Sequence, residues 1–99
     1  MWFCACIWYV GVREDRAEPL WEEQFVLVSG ESEADAESRA QQIGKQHEHT
    51  YRAQGSIIRW TFRAVHRIHA IEESLGDGTE VFSRFLRAAE VESLAKPFE

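Results

Sequence analysis

Met1-Trp2-Phe3-Cys4-Ala5-Cys6-Ile7-Trp8-Tyr9-Val10-Gly11-Val12 opens the chain without one charged side chain and with bulky apolar groups on both alternating sets. Read as a β-strand, it sends Trp2, Cys4, Cys6, Trp8 and Val10 to one side and Phe3, Ala5, Ile7 and Tyr9 to the other. Both sides then need cover. One clear amphipathic helix follows in the sequence, so the second side calls for the C-terminal segment or another molecule.

Outward from that strand, Arg13 to Pro19 is charged and ends in proline, which suits a hairpin connection. Gln24 to Ser29, with Phe25, Val26, Leu27 and Val28 in one run, predicts a second, interior strand antiparallel to the first. Gly30 breaks it. Ser32 with Asp35 resembles a capping box, and Glu33, Asp35 and Glu37 sit where a helix dipole favours acid. The helix runs from about Glu33 to Gln46 and turns Ala36, Ala40 and Ile43 inward, small groups that permit close approach to a sheet. Gly44 is a close-packing site or the start of the helix end.

Tyr51 to Gln54 reads as a short strand entering through Gly55. From Ser56 to Ile71 the even positions Ile58, Trp60, Phe62, Ala64, His66, Ile68 and Ala70 form a core face against polar odd positions, a long strand bent or bulged near Val65. Gly76-Asp77-Gly78 marks a turn. Glu80 to Leu86 fits strand or helix; we take it as a short strand, followed by a helix from Arg87 to Ala95 that Pro97 ends. The expected fold is α+β: an antiparallel sheet of four to five strands, one main helix on one face and a short C-terminal helix, in a single domain spanning residues 1–99.

The 99 residues carry 11 Lys and Arg against 17 Asp and Glu, a formal charge of −6, so no general attraction to phosphate backbones exists and a nucleic-acid partner needs a locally basic face. A chain of this length buries roughly 65% of its unfolded surface, enough for one core, and 44% hydrophobic residues exclude a disordered polymer. The apolar opening lacks a preceding basic stretch and no run reaches a membrane span, which points to the cytoplasm. Cys4 and Cys6 stand about 6.6 Å apart on one strand face, beyond easy disulfide geometry.

The order of several motifs resembles a known family. Pro19-Leu20-Trp21-Glu22-Glu23 ahead of Phe25-Val26-Leu27-Val28, Ile43-Gly44-Lys45, Trp60-Thr61-Phe62-Arg63-Ala64-Val65, and Gly76-Asp77-Gly78-Thr79-Glu80-Val81-Phe82-Ser83-Arg84-Phe85 are together similar to the bacterial domain of unknown function 4288, over about Trp2 to Leu86. The resemblance implies a small bacterial β-rich protein with one main helix. It brings no activity, cofactor or catalytic residue.

Among candidate sites, Cys4 and Cys6 with a histidine would be zinc ligands, but they lie inside an apolar strand and read as core cysteines. His66 and His69 form a ligand pair only on a helix; a strand sends them to opposite faces, leaving His66 at the core edge. His47 and His49 suit helix-terminal carbonyls. Asp77, Glu80 and Arg84 are turn and ion-pair residues before they are catalytic ones. Arg59, Arg63 and Arg67 share the odd face of the long strand at about 13 Å intervals, either a basic binding face or a ladder of pairs with Glu22, Glu23 and Glu80. Trp21 is a partner anchor or a core cap. No catalytic residue, metal site or cofactor is assigned. The expected function is a non-enzymatic interaction module, a homodimer or an immunity- or inhibitor-like binder of another bacterial protein, through Trp2, Trp8, Trp21, Arg59, Arg63 and Arg67. The alternatives are a nucleic-acid binder on the basic strand face and a small metal-dependent hydrolase.

Overall fold

A computed structural model describes residues 1–96. Strand β1 (Trp2–Arg13) is followed by β2 (Leu20–Ser29), helix α1 (Glu33–Gln46), β3 (His49–Ala53), β4 (Ser56–Ile71) and helix α2 (Ala88–Ala95). The strands form one antiparallel sheet in the order β2-β1-β4-β3. The fold is therefore α+β, with four strands, one main helix and a short C-terminal one.

The charge-free strand β1 takes the sheet's interior, paired along its length with β2 on one edge and β4 on the other. Its odd residues Phe3, Ala5, Ile7 and Tyr9 are buried with Val28, Ala36 and Ala40, and Ile43, Phe62, Val65, Ile68 and Ala70 close around them. Alanines on α1 let the helix settle onto this face, and Gly44 brings it closest: a Cβ there would lie 2.5 Å from a ring carbon of Phe62. Gly44 is thus a close-packing site inside a helix that runs on to Gln46. The Tyr9 hydroxyl donates to the Gly44 carbonyl at 3.0 Å, tying the centre of the sheet to the last turn of α1.

The N-terminus of α1 keeps half of the expected capping box. Ser32 Oγ accepts from the Asp35 amide at 3.1 Å, while the Asp35 carboxylate reaches one residue further back and accepts from the Glu31 amide at 3.0 Å. At the other end the His49 ring lies 2.9 Å from the His47 carbonyl, as expected of a histidine beyond a helix terminus. The β3–β4 hairpin turns on Gln54 and Gly55, both at positive φ, the conformation a two-residue turn requires.

Three expectations are corrected. Strand β2 is outermost, not interior: its apolar run meets α1 through Val26 and Val28, but Phe25 and Leu27 stay about half exposed on the other face. Strand β4 is irregular near Val65, as expected, but at two places, so the even positions do not hold the core face throughout. The register against β1 shifts between Cys6 and Ile7 and again between Trp8 and Tyr9, leaving His66 and Arg63 as the extra residues. Core residues on β4 are even up to Phe62, odd at Val65 and even again from Ile68, so two bulges cancel and the sequence keeps one apparent parity from end to end. Ala64 and His66 accordingly leave the helix face.

The third correction is residues 80–86, which form no strand. The Gly76-Asp77-Gly78 turn is present, with Gly78 at φ 83° and the Thr79 amide donating to the Gly76 carbonyl. Instead of pairing beside β4, the chain crosses the second face: Phe82 packs 5.4 Å from Phe25 of β2 and 5.8 Å from His69 of β4. These two residues lie opposite Cys6 and Cys4 of the strand between them. Covering that apolar strip with an aromatic side chain takes the place of a ladder of edge hydrogen bonds. Helix α2 forms as expected, with the Glu90 carboxylate accepting from the Arg87 amide at 2.9 Å. Pro97, expected to end it, lies outside the described residues.

Candidate functional site

The even residues of β1 define a second face. Cys4 and Cys6 are buried there, while Trp8 and Val10 are partly open. The register aligns Trp8 with Glu23 and Ala64, and Val10 with Trp21 and Thr61, so β2 contributes a tryptophan and a carboxylate beside Trp8. Trp8 Nε1 donates to Glu23 at 2.9 Å. Its ring meets Trp21 edge-on with centroids 6.5 Å apart, and on its other side stacks on His66 at 3.9 Å and 14°. The Arg63 guanidinium carbon lies 5.8 Å from the centroid of Trp21, within range of a cation–π contact. With Glu22, Arg84 and Leu94, these tryptophans line an open recess of about 450 Å³.

Both bulge residues of β4, Arg63 and His66, are in this cluster, and each contacts a tryptophan. A bulge re-aims side chains. Here it brings His66 to the same face as His69, where a regular strand would separate them, and leaves it exposed on Trp8 rather than at the core edge. His69 contacts Phe82, and its Nε2 is 3.9 Å from the Glu80 carboxylate.

Of the six residues expected to bind a partner, Trp8, Trp21 and Arg63 come together. Arg67 shares their face, opposite Cys6. Arg59 lies toward the β3 end, opposite Val12 and Thr50. Trp2 stands six residues from Trp8, about 20 Å along the strand, against the edge of α1 with Leu27, Arg39 and Ile43. The expected ladder of ion pairs does not form: among the described residues Arg59, Arg63 and Arg67 have no carboxylate within 4.0 Å, and Glu80 faces His69 while Arg84 lines the tryptophan recess.

Burial and the neighbouring charges of Cys4 and Glu23 push the Cys6 thiol up to about 12, and burial raises Cys4 as well. Both stay protonated near neutral pH, which makes them core groups rather than nucleophiles. Among the described residues no three His, Cys, Asp or Glu side chains are grouped to hold a metal ion. Nor is any helix there long and apolar enough to cross a membrane.

The recess is amphipathic: stacked rings, carboxylates on the β2 side and guanidinium groups from Arg63 and Arg84. Aromatic faces beside charges of both signs can hold an apolar or an ionic side chain. Sequence reasoning missed His66, Arg84 and Leu94. The apolar Val65 at an odd position signals an irregularity there, but not that two bulges flank it, and nothing in the residue pattern shows where an unpaired segment crosses.

Fold and site together define an α+β domain with a helix on one sheet face and an open aromatic surface on the other. The family model of DUF4288, a domain of unknown function, matches residues 2–83, and the chain belongs to that family. No curated protein and no solved structure matches the chain.

Proposed function

We propose that this protein is a non-enzymatic, cytoplasmic interaction module that works as a homodimer through the second sheet face and the outer edge of β2. The observation that carries this reading is where apolar groups remain open. Trp2, Trp21, Phe25 and Leu27 are each about half exposed, and Phe85, Val91 and Leu94 of the C-terminal segment are more so or equally so.

With whole aromatic side chains presenting roughly 150–250 Å², Trp2, Trp21 and Phe25 leave on the order of 300 Å² uncovered. Adding the leucines, Val91 and the fully exposed Phe85 brings the apolar area near the scale of ~800 Å² per partner of a stable interface.

A second copy fits the edge. Strand β2 is outermost, so its free backbone groups can pair with the same strand of another molecule about a two-fold axis. Centred on Val26, antiparallel pairing sets Phe25 against Leu27 of the other copy and keeps the Glu22 and Glu23 pairs apart at the two ends. That register puts both second faces on one side of a continuous sheet.

Light scattering at high micromolar concentration should give twice the protomer mass, and Leu27→Lys should return it to the protomer mass with an unchanged circular dichroism spectrum. A wild-type monomer at that concentration refutes the reading. The arginines without carboxylate partners favour a second one, a nucleic-acid surface. Salt-sensitive oligonucleotide binding that Arg63→Glu abolishes, with a monomeric protein, would replace the dimer.

A further inference from the structure

Helix α1 has 14 residues and reaches about 21 Å, whereas β1, with 12 residues, extends about 40 Å. The helix therefore ends over Tyr9, and beyond it the same sheet face, at Gly11 and Arg13, is left to Trp60 and solvent. There the loop between β1 and β2 overhangs it. The result is a bay of about 770 Å³ lined by Gly11, Trp60, Tyr51, Ile58, Leu20 and the loop residues Arg13 and Arg16 to Pro19. It lies on the opposite face of the sheet from the tryptophan recess.

The bay is preformed. The Trp60 ring lies so close over Gly11 that a Cβ there would meet three ring carbons at 2.7–2.8 Å. Trp60 Nε1 is held 3.4 Å from the Tyr51 hydroxyl, and His49 stacks on Tyr51. The overhanging loop is pinned to β4 twice, by the Glu14 amide on the Ile57 carbonyl and by the Ile57 amide on the Glu14 carboxylate. A concave, mostly apolar and aromatic space of this size with a few fixed polar groups has the form of a small-molecule site.

The polar groups favour an anion. Two of the three charged side chains lining the bay are arginines, Arg13 and Arg16, against Glu18. Arg13 is already paired with the Asp15 carboxylate, which lies 2.6 Å from its Nε. Among the described residues Arg16 has no carboxylate within 4.0 Å.

We propose that this bay binds a small planar aromatic carboxylate, its ring against Trp60 and Tyr51 and its carboxylate at Arg16. The test is a titration of the ¹⁵N-labelled protein with 2-naphthoate, with neutral 2-naphthamide as comparator. Saturable shifts are expected at the Trp60 indole N–H and the Gly11 amide, with naphthoate binding more tightly than naphthamide.

Arg16→Ala should weaken naphthoate about fivefold, the scale of one solvent-accessible charged hydrogen bond, and leave naphthamide unchanged. Tyr51→Ala, on the outer strand β3, should weaken both probes. Equal affinities for the two probes, shifts at the Trp8 and Trp21 indoles instead of Trp60, or no saturable shift at all would overturn the proposal. The oligomeric state read by light scattering bears on the dimer and not on this bay, so either can fail alone.

Discussion

Replacing a glycine inside a helix by alanine normally stabilises a protein by up to ~1 kcal/mol, through reduced backbone freedom in the unfolded chain. At Gly44 the opposite sign is expected. An added Cβ would stand 2.5 and 2.6 Å from two ring carbons of Phe62, distances at which either the ring or the helix must move. The ring cannot retreat freely, because its other side meets Tyr9 edge-on at 6.3 Å. Helix movement would in turn stretch the bond from the Tyr9 hydroxyl to the Gly44 carbonyl. Overpacking of this kind costs ~1–3 kcal/mol, so Gly44→Ala should destabilise by a net ~1–2 kcal/mol. For a domain of this size that is roughly 4–8 °C of melting temperature per kcal/mol.

Urea denaturation followed by circular dichroism measures the effect, and a double-mutant cycle isolates its cause. In a Phe62→Ala background the ring is gone, and Gly44→Ala should become neutral or stabilising, a coupling of about 2 kcal/mol. A stabilising Gly44→Ala in the wild-type background, or an equal effect in both, would refute the account of how α1 seats on the sheet.

Three further outcomes follow from the buried groups of β1. Tyr9→Phe leaves the Gly44 carbonyl without its side-chain donor and should cost about 1 kcal/mol, with little change in the circular dichroism spectrum. Cys4 and Cys6 should resist a thiol reagent at pH 8 until the protein is denatured. Because the native Cys6 holds its proton to about pH 12 against an ordinary value of 9.0, its contribution to stability is intact below pH 9 and declines as pH rises from there toward 12. Cys6→Ala should flatten that part of the stability curve; a curve of unchanged slope would show that the thiol is not enclosed as described.

Much of this architecture was legible because burial imposes period and parity. A charge-free β1 with large groups on both alternating sets calls for cover on both sides; α1 supplies it on one, while on the other Cys4 and Cys6 are buried and Trp2, Trp8 and Val10 stay partly open. Helix α1 was readable from Ser32, its acidic first turn and the Ala36, Ala40 and Ile43 spacing. Trp8, Trp21 and Arg63 stand out one by one in the sequence, but that they meet depends on the strand register and on the bulge at Arg63.

What alternation cannot show is a pair of bulges that cancel, and so His66 was assigned to the wrong side. Nor does an apolar run reveal whether a strand is central or outermost: Phe25 to Val28 suits either, and β1 occupies the centre because β4 claims its second edge. Residues 80–86 escaped for a related reason. Val81, Phe82, Phe85 and Leu86 suit several periods, and the local pattern does not encode that Phe82 closes over the cysteines.

The two bulges of β4 also set a rule for deletions. His66 and Arg63 are the residues that β1 leaves unpaired, so removing either one restores plain alternation: Phe62, Val65, Ile68 and Ala70 keep the helix side, and the aromatic surface loses its contact to Trp8 or to Trp21. The strand thus carries two spare residues, and both are ones that touch a tryptophan. Shortening β4 at either place spares the packed core and strips the open surface.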